Sequence, residues 1–506
     1  MLDLLHHLEF MPGVHPEAET CGVEVSRLSN FSPIAVVCVS FMLAGCGGNS
    51  AKLASPPVGP FANATFSGTY AIAFSGNNGG GFFALAGSVQ ADGNGTVTGG
   101  VVDINTAAAV FTNQSVTGNY TVRPNGQALA LLRTPAGNFH IDFVMITAQR
   151  ALVIRFDNSA SASGSIDRQD ATAFTAGTLQ NNFAFNISGV DASGRSFASA
   201  GDFTGIGGGA ISTGVQDFND NGTVNTNLSL SGSYALGAAS GRGTMTLSTS
   251  LGTLNFVFYI VDATHLKLME TDTVPVLAGD AFLQQGAVSN ASLSGPVAFT
   301  LGGARGSFPY AAGGIVAADG AGNITSGVED INNGGAVTRD LALTGSYSIA
   351  SNGRGTLALN SSLGTANFAV YPSSGGLQML EVDVTVVSSG AAFNQQAGAF
   401  SGTSVAGAVG WNLTGVSSGG EVDQLSAFTL DGSRISGSLD VNNAGLLSSG
   451  LAVSGTYVLA ANGQGTMTLQ SSVGTQNFVI FAVSNGRLLF IEIDPSLISE
   501  GVIEHQ

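Results

Sequence analysis

Four landmarks recur in the same order four times along this chain of 506 residues, and that recurrence limits its architecture more than anything else in the sequence. Each unit ends in a glycine followed five positions later by a glutamine: Gly164/Gln169, Gly279/Gln284, Gly390/Gln395 and Gly501/Gln506. The glutamines are spaced 115, 111 and 111 residues apart. A Gly-x-Tyr strand start appears at Tyr120, Tyr234, Tyr347 and Tyr457. An Asn-Phe pair appears at Asn138-Phe139, Asn255-Phe256, Asn367-Phe368 and Asn477-Phe478. An Asp-x-Asn pattern, read as a turn, appears at Asp103/Asn105, Asp217/Asn219, Asp330/Asn332 and Asp440/Asn442. A repeat of this length can bury its own core and is too long for a solenoid unit. The expected organisation is therefore β-repeats at 61–170, 174–285, 289–396 and 397–506, strung as beads with short links whose neighbours touch.

Glycine reaches 72 residues and charged residues only 9%, while Thr, Ser, Val and Phe abound. That balance disfavours helices and favours strands joined by tight turns. The third unit reads as about eight strands, with Asp319-Gly320 and Asn333-Gly334 as turn signals. Every connection looks like a hairpin, so the expectation is all-β: four tandem antiparallel domains, each an up-and-down barrel of lipocalin or avidin shape rather than an immunoglobulin-like sandwich. Closure into a barrel removes exposed strand edges, and glycines within strands permit the bends it needs.

The three cysteines, Cys21, Cys38 and Cys46, all lie near the start. Arg27 precedes the apolar run PIAVVCVSFMLAG from Pro33 to Gly45, too short to span a bilayer but suited to a signal peptide. The run ends in Leu43-Ala44-Gly45-Cys46, which resembles the lipobox of bacterial lipoproteins. The resemblance implies 1–45 as leader and signal peptide, lipidation at Cys46, a tether over 46–60, and export to the cell envelope. Gly47 in place of Asp after the cysteine implies sorting to the outer membrane. Residues 1–22 carry Asp3, Glu9, Glu17 and Glu19 without Lys or Arg, unlike a signal n-region, which points to a start at Val23 or Val25. The repeats themselves, in phrases such as ITSGVEDIN and LTGSYSIASNGRGTLALN, resemble uncharacterised Gly-rich exported repeat proteins of acidobacterial type over residues 61–506. No function travels with that resemblance.

A net charge of −18 with no basic cluster disfavours nucleic acid as a partner. The partners expected instead are the membrane, through acylated Cys46, and surface polymers or other cells. Histidines are few and scattered; His265, at a turn, reads as solvated. The acidic residues offer more. The seventh strand of three units ends in Glu-x-Asp at Glu270/Asp272, Glu381/Asp383 and Glu492/Asp494. Residues two apart share a strand face, so each pair should stand at the rim of an apolar face. Paired carboxylates suit acid/base work, as in glycosidases, or cation binding together with Asp217, Asn219, Asp330 and Asn332. A third reading is a polar strand end bonded to loop amides. Unit 1 has Arg155 where the others have Glu, which argues against a catalytic pair in every unit. Asp217-Phe218-Asn219-Asp220-Asn221-Gly222 opens like a calcium loop, but the twelfth position is Leu228 rather than Glu. Trp411 and the tyrosines are candidate sugar-binding aromatics, although the recurring tyrosines fall in core patterns. No cofactor is implied, Ca2+ being the one ion with any support. The reading that results is a non-catalytic, membrane-anchored repeat protein with a structural or adhesive role, projecting as a rod. Ligand-holding barrels come second and a glycan hydrolase third.

Overall fold

The computed structural model describes residues 60–506, apart from positions 238 and 285. The leader, Cys46 and the tether lie outside the described residues. Four closed antiparallel barrels follow one another along the chain, with strands from Ser67 to Arg168, Asn182 to Leu283, Ser294 to Asn394 and Gly407 to His505. Each is an eight-stranded meander closed by its first strand against its last, as Ser67–Asn78 pairs with Ala160–Arg168 in barrel 1. In barrels 1 and 2 the fourth strand is broken in two, at Ala109–Ser115 and Thr117–Val122 and at Thr223–Ser229 and Ser231–Leu236. Barrels 3 and 4 keep it whole, as Ala336–Ile349 and Leu446–Leu459.

Closure explains one landmark. Gly164, Gly279, Gly390 and Gly501 lie where the last strand crosses the first, and a Cβ at any of them would run into the carbonyl oxygen of Ala73, Asn186, Thr300 or Asn412 respectively. The tyrosine landmark closes one end of each barrel. Tyr120, Tyr234, Tyr347 and Tyr457 are buried. In barrels 1, 3 and 4 their hydroxyls donate to the backbone ahead of the first strand, at Phe66 O (2.7 Å), Leu293 O (2.6 Å) and Gly402 O (2.8 Å), and in barrel 2 to the end of the second strand, at Ile206 O (3.0 Å).

All four interiors are packed. Phe66, Tyr70, Phe74 and Phe143 fill barrel 1, and Phe183, Phe185, Phe203 and Phe258 fill barrel 2. Barrel 3 holds Phe299, Tyr347 and Phe368. Trp411 is fully buried in barrel 4, stacked on Phe490 at 3.9 Å between ring centres. Two expectations are corrected here. The barrels are not hollow ligand holders, because large side chains occupy their interiors. Trp411 is not a sugar platform, because its faces are spent on core aromatics.

The outer faces explain how the barrels assemble. Strand residues alternate, so a strand packed on both sides must be apolar at successive positions. In barrel 4, Leu488 and Phe490 point into the barrel, whereas Leu489 and Ile491 point out, against Ala298, Ala311 and Ile315 of barrel 3. The same contact recurs one unit earlier, where Tyr371 and Leu380 of barrel 3 cover Ala184, Ala198 and Ala200 of barrel 2. It recurs again where Val257, Tyr259 and Met269 of barrel 2 cover Ala71, Ala84 and Ala86 of barrel 1. The fourth copy runs from the last barrel to the first: Leu425 and Ala427 of barrel 4 pack on Val144, Ile146, Leu152 and Ile154 of barrel 1.

Residues 60–506 thus form a closed ring of four barrels, not a rod of beads. Each seam uses one face of the first two strands and a different face of the sixth and seventh. Head-to-tail contacts of this kind form an open filament or a ring depending only on the rotation per step, and a quarter turn closes after four. We name the contacts seams 1/2, 2/3, 3/4 and 4/1.

Candidate functional site

The polar landmarks converge on these seams. The Asp-x-Asn residues are not in a turn but inside the third strand of each barrel, for example Thr96–Thr106 and Asn323–Asn333. The asparagine reaches the next barrel and donates to the carbonyls where the seventh strand ends. Asn105 Nδ2 binds Glu270 O at 2.8 Å and Asp272 O at 2.7 Å. Asn219 binds Glu381 O, Asp383 O and Val386 O at 2.8–3.1 Å. Asn332 binds Glu492 O and Asp494 O, both at 3.0 Å. Asn442 closes the ring on Arg155 O at 2.8 Å and Ala160 O at 2.7 Å of barrel 1. Strand-end carbonyls shielded from water need such donors.

The aspartate two residues earlier does two jobs. One oxygen accepts the backbone N–H of a residue at a bulge in its own barrel: Asn113, Asn227, Asp340 or Gly450, each with φ between 54° and 62°. It also faces the next barrel. Asp103 takes both Arg242 Nε and Nη2 at 2.7 Å and the Tyr259 hydroxyl. Asp217 takes Arg354 at 2.7 and 2.8 Å and the Tyr371 hydroxyl. Asp330 instead accepts from Arg339 of its own barrel at 2.5 Å and from Gln464 of barrel 4 at 3.1 Å. Asp440 accepts Gln127 of barrel 1 at 3.3 Å. The terminal glutamine of each unit crosses the same seam. Gln169 donates to Ile260 O, Gln284 to Gly353 O, Gln395 to Ala482 O, and Gln506 to Asn125 O and Met145 O of barrel 1.

The Glu-x-Asp pairs stand at the rim of an apolar inner face. Asp272, Asp383 and Asp494 each accept both the backbone and the side-chain amide of Asn255, Asn367 and Asn477, the residues of the Asn-Phe landmark. The glutamates lie deeper. Burial, then the neighbouring aspartate, pushes Glu270 up to about 9. Burial pushes Glu381 up to about 7 and Glu492 up to about 8, against the pull of the hydroxyls of Ser388 and Ser499. In barrel 1, Arg155 takes this place over the rings of Phe83 and Phe139 and pairs with Asp157 at 2.9 Å. Among the described residues no group of three or more metal-ligating side chains gathers.

Sequence patterning missed a second polar region, on the axis of the ring. Two cavities lie there, each lined by all four barrels. The smaller, about 360 Å3, is bordered by Asn77, Phe197, Tyr310 and Glu421; the larger, about 640 Å3, by Arg150, His265, Gln378 and Arg487. They meet at Ser188, Ser389 and Glu500, which border both. Burial pushes Glu500 up to about 7. Beside the larger cavity, Arg150 binds Asp167 at 2.8 Å and Glu504 of barrel 4 at 2.7 Å, and Lys267 of barrel 2 binds Asp167 at 2.8 Å. Although burial pushes Asp167 up, Lys267 and Arg150 together hold it far below the usual carboxylate range. His265 is not solvated: it stacks on Phe282 at 4.4 Å and binds Asp280 at 2.7 Å. The available signal was divergence. Arg150, His265, Gly376 and Arg487 open the seventh strand of their barrels, so barrels 2 and 3 depart there from the arginine that barrels 1 and 4 share.

No protein-family model matches the chain, and no curated protein matches it. Among solved structures, the Trp-176-Ala mutant of transferrin binding protein B from Haemophilus parasuis is similar at 10% identity and a TM-score of 0.15, covering 70% of this chain and 83% of that one. Intact Ap-TbpB, with its N and C lobes, is similar at 8% identity and a TM-score of 0.13, covering 86% of this chain and 76% of that one. At such TM-scores the superposition carries no weight for fold or function.

Proposed function

We propose that this chain is an exported, lipid-anchored protein of the bacterial cell envelope, a rigid ring that makes non-catalytic contacts with surface polymers or neighbouring cells. One observation carries the reading: the asparagine of Asp-x-Asn and the terminal glutamine of every repeat are engaged in joining barrel to barrel. Asn105, Asn219, Asn332 and Asn442 all cross a seam, as do Gln169, Gln284, Gln395 and Gln506. What recurs fourfold is thus a joint, and a rigid joint suits a scaffold. The Leu43-Ala44-Gly45-Cys46 motif supports the anchor and the outer membrane as its location.

The test has two arms. Cells expressing the full chain are labelled with an alkyne fatty acid, and the label should be lost in Cys46→Ser. Purified protein is then incubated with intact cells and with isolated envelope polysaccharide, where saturable retention is expected. Absence of label on Cys46 would overturn the anchor. Turnover of an envelope glycan, abolished by a single substitution such as Glu492→Gln without loss of folding, would overturn the non-catalytic reading.

A further inference from the structure

The larger axial cavity has the make-up of a small-molecule site, and its chemistry is set by one arginine. Glu504 is the carboxylate shared by Arg150 and Arg487, but Arg150 takes both of its oxygens, at 2.7 and 3.2 Å. Arg487 Nε stands 3.9 Å from the nearer oxygen, outside hydrogen-bond range, and has no acceptor among the described residues. The other cations beside the cavity have close acceptors: Arg150 has Asp167 and Glu504, Lys267 has Asp167, and His265 has Asp280. The guanidinium of Arg487 is therefore the one whose hydrogen-bonding capacity, rather than its charge, is left to be met from within the cavity. Its guanidinium lies 4.3 Å from the centre of the Phe393 ring, so its plane is held and its fork is preset.

The surroundings narrow the ligand. Gly376 occupies the position equivalent to Arg487 on barrel 3, and the Phe393 ring that carries the guanidinium packs against it. Ser188 and Ser389 border the space and offer hydroxyl groups, whereas the Ser165 hydroxyl is held by Lys267 and Asp167 and the Asn186 amide nitrogen by Met379 O and Gly390 O. A volume of about 640 Å3 lies in the ordinary range for small-molecule pockets. Glu500 and Asp280 also border it, so a ligand carrying several negative charges would meet repulsion. A single carboxylate on a hydroxylated body meets these demands together: the carboxylate engages the guanidinium fork in the manner bidentate pairs favour, and the hydroxyls meet the serines and acidic side chains.

We propose that the axial cavity binds a small hydroxylated monocarboxylate, such as a sugar acid, through Arg487. This assignment is independent of the envelope reading. The source of such a group could be a free sugar acid or the end of a uronate-bearing glycan, and the two are separated by the probe.

Calorimetry on the full chain with glucuronate should give saturable one-to-one binding. Glucose, which lacks the carboxylate, should bind at least about tenfold more weakly. Arg487→Met keeps the apolar stem over Phe393 but removes the fork, and should lose at least about tenfold in affinity for glucuronate. Arg434→Met, in an exposed hairpin, should lose nothing. A glucuronate-terminated trisaccharide that binds as tightly as the monosaccharide points to a glycan end, and exclusion of it points to the free acid. No saturable binding of glucuronate, or equal binding to Arg487→Met, overturns the proposal. Crystals of unaltered protein soaked in iodide provide a readout that needs no variant: an anomalous peak beside the Arg487 guanidinium is expected, and peaks confined to the outer surface overturn it.

Discussion

Seams 1/2 and 2/3 are built differently from seams 3/4 and 4/1, although all four follow one plan. In the first pair, a fully buried aspartate is gripped by a two-pronged arginine and a tyrosine of the next barrel. In the second pair, glutamine replaces the arginine, and Phe481 and Val144 replace the tyrosine. Apolar bulk compensates. Seams 1/2 and 2/3 set alanines against the next barrel, whereas seam 3/4 brings Ile315, Val479, Phe481 and Ile491 together, and seam 4/1 brings Leu425, Val144, Ile146 and Ile154. One geometry is thus reached by two chemistries. The shared component is the asparagine that caps the strand-end carbonyls, and the variable component is what fills the space beside it.

The sharpest way to break this comparison is to remove the arginine. Arg354→Met would leave Asp217 buried without its cation, at a cost of about 3–5 kcal/mol. Gln464→Met at the equivalent place in seam 3/4 should cost about 1 kcal/mol, since Asp330 keeps Arg339. Urea denaturation of the two variants measures the difference, and equal losses would mean that the seams are energetically alike. The asparagines should behave uniformly. Asn219→Ala or Asn332→Ala, each of which strands buried carbonyls, should cost about 2–3 kcal/mol at either kind of seam, read from the same urea midpoints. A large disparity would show that the cap is not the common element.

Acidity offers a third handle. Burial, reinforced by Asp440, pushes Asp142 at seam 4/1 up to about 8, and burial pushes Asp423 up to about 7. Each therefore keeps a proton in the folded ring that it would give up on unfolding near neutral pH. Stability from these groups is greatest near pH 4 and falls as pH rises toward about 8. Asp142→Asn should stabilise the protein by about 1–2 kcal/mol at pH 8.5 and leave it unchanged at pH 4. At seam 2/3, burial likewise pushes Asp202 up to about 7, but the backbone N–H of Val215, donating to it at 2.9 Å, draws it back, so Asp202→Asn should gain less. Urea midpoints across pH compare the two. The smallest effect is expected at the end of the chain. Gln506→Ala removes two hydrogen bonds across seam 4/1 and should cost about 1 kcal/mol, close to the effect of Gln395→Ala at seam 3/4. A negligible loss at 506 beside a clear one at 395 would mark seam 4/1 as the looser joint, and thermal melts resolve shifts of that size.

Barrel, strand count and repeat were legible because each is written in local pattern: alternation, glycine turns and the spacing of Tyr and Gln. The joints were half legible. Asp217, Asn219, Glu381 and their counterparts stood out as repeated polar residues, yet a single unit does not reveal that Asn219 meets the carbonyl of a residue 162 positions away. A rod and a ring have the same repeat interval, since they differ only in the rotation per step. The Asp-x-Asn pattern passed for a turn because Asp and Asn are turn formers, whereas here tertiary contacts hold them in a strand. The axial cluster escaped for the opposite reason. Residues around a symmetry axis serve one site between them, so His265 and Gly376 depart from Arg150 and Arg487 where the joints agree, and a search for sameness passes over them.

Seam 4/1 joins barrels that share no connecting peptide, yet it carries the same caps and the same apolar faces as the three that do. The order in which the barrels are threaded is therefore a property of the gene rather than of the particle. A chain cut in the link near 285–293 or 396–406 and rejoined from 506 to 61 would present identical surfaces, and a proteolytic nick in either link would leave a ring held on both sides of the break. Resistance to nicking, and the freedom to move the attachment point from one barrel to another, follow from closure itself.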